Sequence, residues 1–142
     1  AWFAHHHPDM APYVQFLGGV SDEQLNQLYQ SCDLFVAPSL YESFGLIYLE
    51  AMNYGKAVVG CRAGGIPEVV DDGVTGILVE PEAPKALAEA ILRLVRSPEL
   101  LHTMGEAGRR RLLDRFTYLH MARSFAAAYV TVLQAKEGQA SL

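Results

Sequence analysis

Two carboxylates, Glu42 and Glu50, stand eight residues apart in the run Pro38-Ser39-Leu40-Tyr41-Glu42-Ser43-Phe44-Gly45-Leu46-Ile47-Tyr48-Leu49-Glu50, which contains no other charge. If a helix begins near Phe44 or Gly45, about 100° per residue puts Glu50 between Leu46 and Ile47. Tyr48, Leu49, Ala51 and Met52 then cover the rest of the cylinder. Only Asn53 shares its polarity, and no Lys or Arg lies within a helical turn to form an i,i+4 ion pair. Glu50 is therefore expected to be largely buried, its carboxylate facing the C-terminal edge of a sheet. An isolated buried carboxylate costs several kcal/mol, so it needs hydrogen bonds that the local sequence does not supply. A polyhydroxylated ligand would supply them.

Side chains on a helix lean toward its N-terminus, so Glu50 is expected to point back over the turn carrying Ser43, Phe44 and Gly45, with Glu42 just ahead of it. That helix start offers unpaired N–H groups and the positive end of the dipole, both suited to phosphate. Gly45, without a side chain, lets a ligand come close to the main chain. The chemistry implied is carboxylates for hydroxyls and amides for phosphate.

These residues need elements to hold them. Tyr13 to Leu17 reads as a strand ended by Gly18-Gly19, and Ser21-Asp22-Glu23-Gln24 is a capping box opening a helix over 22–31. Further strands are expected at Asp33 to Ala37, Ala57 to Cys61 and Ile77 to Glu80. The Glu50 helix should run to about Tyr54, with Gly55 as a left-handed cap. Pro84 opens a helix through Arg96, Ser97-Pro98 opens one through about Leu113, and Thr117 caps a last one ending near Gln134. Short apolar strands alternating with helices predict an α/β class: a Rossmann-like parallel sheet of about four strands with helices on both faces. Gly64-Gly65, at the end of the third strand, leaves two readings open, a ligand loop or a tight turn. Asp72-Gly73 and Gly76 read as turn residues.

The 142 residues, 51% hydrophobic, suffice for one domain with a real core. The divisions expected are a linker or irregular segment over 1–12, the domain over 13–134 and a flexible tail over 135–142. A net charge of -5 argues against nucleic acid. No apolar run spans a bilayer and no charged-then-apolar leader opens the chain, so a soluble protein is expected. Cys32 and Cys61 have no metal spacing and suit free thiols in a reducing cytosol. His5-His6-His7 are adjacent, a poor arrangement for converging on one ion. The opening Ala1 suggests a chain that starts mid-protein or after processing. Arg109-Arg110-Arg111, Arg115 and Arg123 are interleaved with Glu106 and Asp114, as on a solvated helix face. A basic face toward anionic lipid is the minor reading. Neither dinucleotide nor phosphate-loop glycine patterns occur.

The segment Pro-Ser-x-Tyr-Glu-Ser-Phe-Gly-Leu with Glu42-x7-Glu50 resembles the donor-site motif of the retaining GT-B glycosyltransferases, family 4 in particular (glycosyl transferases group 1). So do Phe16-Leu17-Gly18 with Val20-Ser21-Asp22-Glu23, Gly64-Gly65-Ile66-Pro67-Glu68-Val69-Val70, Asp72-Gly73-x-x-Gly76-x-Leu78-Val79, and Met104-Gly105-x-x-Gly108-Arg109 before Phe116-Thr117. The resemblance covers roughly residues 13 to 134 and implies the C-terminal, donor-binding domain of such an enzyme. It implies that Glu50 binds ribose hydroxyls, that Glu42, as the catalytic-site carboxylate, binds a hydroxyl of the donor sugar, and that backbone N–H groups of Ser43, Phe44, Gly45 and Leu46 meet sugar and phosphate oxygens. The turn at Gly18 and Gly19 would lie beside the base. The donor substrate would be a nucleotide-diphosphate sugar carrying a hexose, with no cofactor and no metal, and the location cytoplasmic, with the cytosolic membrane surface as an option.

The family's domain opens with two more strand-helix units, the first of which carries an Arg and a Lys for the diphosphate, and pairs with an N-terminal acceptor domain. Neither is in this sequence, so the isolated chain is expected to be inactive and to need the missing domain or a partner chain. The absent strands would leave a gap between the strands at Tyr13 to Leu17 and Asp33 to Ala37. Direct pairing of those two, or self-association through the open edge, is expected to fill it. The competing readings are a non-catalytic nucleotide-sugar binding module or donor subunit, and, with less support, a sugar epimerase.

Overall fold

Three short strands, β1 (Leu34–Ala37), β2 (Ala57–Cys61) and β3 (Gly76–Val79), form an all-parallel sheet in the order β1-β2-β3. The computed structural model describes residues 2–139. Register runs Leu34 to Ala57 through Ala37 to Gly60, and Val58 to Gly76 through Cys61 to Val79. The α/β class and the parallel sheet agree with the pattern in the sequence. Three of the four expected strands are there.

The fourth, Tyr13 to Leu17, is not a strand. Ala11–Tyr13 makes a single 3-10 turn, and residues 14–18 continue without a ladder partner. Tyr13 and Phe16 are 89% and 75% exposed. A strand exists only against a neighbour, and the β1 edge beside which this segment was expected to pair stays open among the described residues. The segment expected as an irregular linker holds a short helix, α1 (Trp2–His6), in which His6 packs on Trp2 with ring centroids 4.2 Å apart.

Strand alternation sends side chains to two cores. One face of the sheet carries Phe35, Val58 and Leu78 against α3 (Leu46–Asn53) and α4 (Ile66–Val69), with Tyr29 from α2 (Asp22–Ser31). The other carries Val36, Val59 and Val79 against α5 (Pro84–Val95) and α6 (Pro98–Arg115). Ser21 caps α2 as expected, accepting from the Gln24 amide while the Gln24 side chain accepts from the Ser21 amide. Gly55, at φ +66°, follows α3 in the left-handed conformation.

The glycines of α6 explain themselves by packing. A Cβ on Gly105 would overlap the Gly55 carbonyl, and one on Gly108 would stand 2.9 Å from Met52 Cγ. Met104-Gly105-x-x-Gly108 is thus the surface by which α6 lies against α3 and the entry to β2. The last helix, α7 (Tyr118–Gln139), runs five residues into the segment expected as a tail; 140–142 lie outside the described residues.

Candidate functional site

The C-terminal ends of the three strands release three loops on one edge of the sheet: Pro38–Gly45 after β1, Arg62–Gly65 after β2 and Glu80–Ala83 after β3. The first carries Glu42, Ser43, Phe44 and Gly45. Its course is set by backbone contact with the second loop. The Gly65 amide donates to the Glu42 carbonyl at 2.8 Å, a Cβ on Gly65 would stand 2.5 Å from the Ser43 carbonyl oxygen, and one on Gly64 would overlap the Glu42 carbonyl. The glycine pair therefore acts as the bed on which the Glu42 loop rests, with Gly64 at φ +53°.

Tyr48 supports the same loop from beneath. Fully buried, it donates its hydroxyl to the Ala37 carbonyl where β1 ends. Gly60 leaves room for the ring inside β2, and Gly45 leaves room where α3 begins. Burial pushes the Tyr48 phenol up to about 12, and the nearby Cys61 and Glu42 charges add to the shift. Gly45 itself, at φ +99°, is the N-cap of α3 and gives the helix no side-chain cap. The first turn of α3 keeps the amide donors that suit an anion. Phe44 packs edge-on to Phe116 at 6.0 Å, and Leu46 is 63% exposed.

Glu50 departs from expectation. It is exposed, because α3 buries Tyr48, Leu49, Ala51 and Met52 while Leu46, Glu50 and Asn53, at i, i+4 and i+7, form its outer stripe. Glu50 also has a partner, the Tyr29 hydroxyl of α2, which donates to Oε2 at 2.9 Å. The two residues share a cleft of about 250 Å³ between α2 and α3, lined also by Asp22, Asn26, Asn53 and Tyr54. Tyr54 stacks on Tyr29 with centroids 5.7 Å apart and planes 10° apart, and donates to Asn26 Oδ1 at 2.8 Å. Glu42 is half-buried and does not line that cleft. Gly18, at φ +67°, and Gly19 are exposed, and an added Cβ at either would meet nothing within 4 Å.

The Tyr29 and Tyr48 roles had no signal in local spacing, since their partners lie 21 and 11 residues away. The basic residues nearest the motif are engaged elsewhere. Arg62 pairs with Asp72 at 2.6 Å and Glu80 at 3.3 Å, and Lys56 donates to the Gln30 carbonyl. Arg111 is held by the Glu68 and Val69 carbonyls, with its guanidinium 5.8 Å from the centre of the Phe116 ring. Cys32 and Cys61 are free thiols, and burial raises both.

Solved structures similar to the chain bear on what this geometry does. Sucrose-phosphate synthase from Thermosynechococcus elongatus superposes with a TM-score of 0.82 and 32% identity, over 94% of this chain and 33% of that one. HepE from Anabaena, solved with UDP and with UDP-glucose, superposes with TM-scores of 0.77 and 0.75 at 29% identity, over 92% of this chain and 37% of that one. Alpha-maltose-1-phosphate synthase from Mycobacterium tuberculosis is 41% identical over 112 residues, 75% of this chain and 29% of its own length. The chain spans less than a third of the curated relatives it matches first. Residues 9–111 match the model of one family, and the chain belongs to it: the glycosyl transferases group 1.

Proposed function

We propose that the chain is the donor-binding part of a retaining GT-B glycosyltransferase, holding a nucleotide-diphosphate hexose in the cytoplasm. The observation that carries this reading is the Glu42–Gly45 loop. Bedded on Gly64-Gly65, it delivers an uncapped helix N-terminus to the C-terminal edge of a parallel sheet, the edge at which open α/β sheets bind ligands. In this reading Glu50 accepts from the ribose hydroxyls and Glu42 from a hydroxyl of the donor sugar. Amides of Ser43 through Leu46 meet the sugar and phosphate oxygens, and the Gly18-Gly19 turn lies beside the base.

Transfer requires a diphosphate to leave while the anomeric carbon gains oxocarbenium character. The protein must place positive potential at the phosphates at that moment. With Arg62 and Lys56 committed elsewhere, the helix N-terminus is the local source, and we assign further cations and the acceptor pocket to the remainder of a longer enzyme or to a partner chain. The chain alone then binds donor without transferring the sugar. No resident cofactor or metal enters this scheme.

Calorimetry with nucleoside diphosphates (UDP, GDP, ADP) and their glucose and mannose conjugates tests the division of labour. Glu50→Ala is expected to weaken both kinds of ligand about tenfold or more, the consequence of losing a charged acceptor. Glu42→Ala is expected to weaken the sugar conjugates alone. Equal losses for both ligands in both variants would overturn the assignment.

A further inference from the structure

Glu50 is exposed on the outer stripe of its helix, where a carboxylate samples several rotamers, yet a side chain from another element donates a hydrogen bond to it. The Tyr29 ring is 6% exposed, clamped by Tyr54 on one side and tilted against Phe35 at 5.7 Å. Tyr54 is tied in turn to Asn26, one helical turn before Tyr29 on α2. The hydroxyl that emerges from this packing meets Glu50 Oε2 at 2.9 Å inside a cleft of about 250 Å³. No other hydrogen bond or ion pair engages the Glu50 carboxylate among the described residues. We propose that Tyr29 is a positioning residue for nucleotide recognition: its phenol fixes Oε2 of Glu50 and leaves Oε1 aimed into the cleft to accept from a ribose diol.

This inference rests on the ribose reading of Glu50. Its physical content is pre-organisation. A carboxylate held in the bound rotamer loses less freedom when a ligand arrives, so it binds more tightly than the same group on a free side chain. A cis-diol donates two hydrogen bonds and a 2′-deoxyribose only one, so an oriented carboxylate separates the two sugars better than a mobile one. Burial first, then the hydrogen bond to Glu50 and its charge, push the Tyr29 phenol well above its ordinary range, so it remains a donor at neutral pH.

The test is titration calorimetry of the chain with UDP, GDP and ADP, each beside its 2′-deoxy analogue. The wild type is expected to prefer the ribonucleotide of its cognate base, and Glu50→Ala to abolish that preference. Tyr29→Phe keeps the ring and its packing but removes the hydroxyl; it is expected to cut ribonucleotide affinity about fivefold or more and to shrink the ribo-to-deoxy ratio with it. Leu94→Val, a core change on the opposite face of the sheet, controls for lost stability and should leave the ratio intact. If wild type and Glu50→Ala treat both sugars alike, the ribose reading itself fails, and this inference with it. If Glu50→Ala loses the preference while Tyr29→Phe, folded by its unfolding curve, keeps the wild-type ratio, the ribose reading stands and Tyr29 is only a satisfied core tyrosine.

Discussion

At Gly64 the backbone turns through the left-handed region, and a methyl group built there overlaps the Glu42 carbonyl, so both the conformation and the space require glycine. Gly64→Ala is expected to cost about 1 kcal/mol or more, because alanine at positive φ adds strain to the forced movement of the Glu42 loop. Urea unfolding measures that cost, and nucleotide-sugar affinity should fall with it. The glycine pair was visible in the sequence, but the choice between a turn and a ligand loop was not, because the surface it fits is another loop's backbone. The exposure of Glu50 escapes the sequence for the converse reason. Apart from Asn53 its neighbours on α3 are apolar, and only the placement of the sheet decides that the Leu46, Glu50 and Asn53 stripe faces outward. Tyr48 yields a pH prediction. Its phenol is raised from 10.0 to about 12, so between those values the folded chain keeps a proton that the unfolded chain has released. The unfolded state then binds fewer protons, and stability falls as pH rises through that window, while the full contribution is present below pH 10. Tyr29, raised in the same direction, adds to the loss. The urea midpoint should decline over this range, with tyrosinate absorbance lagging behind that of the unfolded chain.

Helices whose ends carry chemical signals were legible almost to the residue. Ser21, Pro84 and Ser97-Pro98 mark the starts of α2, α5 and α6, because a cap or a proline acts locally. The Tyr13 to Leu17 strand failed because strand formation is not local; the composition suits a ladder, but among the described residues the segment does not pair with the open β1 edge. The capping box gives a direct prediction. Ser21→Ala should destabilise by about 1 kcal/mol, and since α2 carries Tyr29, it should also loosen the grip on Glu50. Hydrogen exchange across 22–31 would show the first effect and the ribo-to-deoxy ratio the second. Gly105 gives a stronger one. A side chain there collides with the Gly55 carbonyl, so Gly105→Ala must separate α6 from the start of β2, at about 1 to 3 kcal/mol by overpacking. An unchanged urea midpoint in Gly105→Ala would contradict this packing of α6.

The chain exposes 10047 Å². A compact monomer of 15.6 kDa is expected to expose about 7,200 Å². The excess is several times the roughly 800 Å² that one partner buries in an ordinary interface. Its location is specific. On α7, Leu119, Met121, Phe125, Tyr129 and Leu133 are each at least half exposed, and ahead of α2 so are Tyr13 and Phe16. The half-buried β1 edge lies open as well. A donor-binding part seated in a longer enzyme would cover such surfaces with the rest of that protein. The same chain made alone has only water or its own copies. Burying the apolar part of that excess, at about 25 cal/mol per Å², would offset part of the entropy lost on association. The chain in isolation is therefore expected to self-associate, with a weight-average mass that rises with concentration in sedimentation equilibrium. Replacing Phe125 and Leu133 together by Glu should lower that mass, since both sit on the exposed surface of α7 and neither contributes to either core. A wild-type chain that sediments as a monomer at every concentration would show that this surface is tolerated by water and is not an unfilled interface.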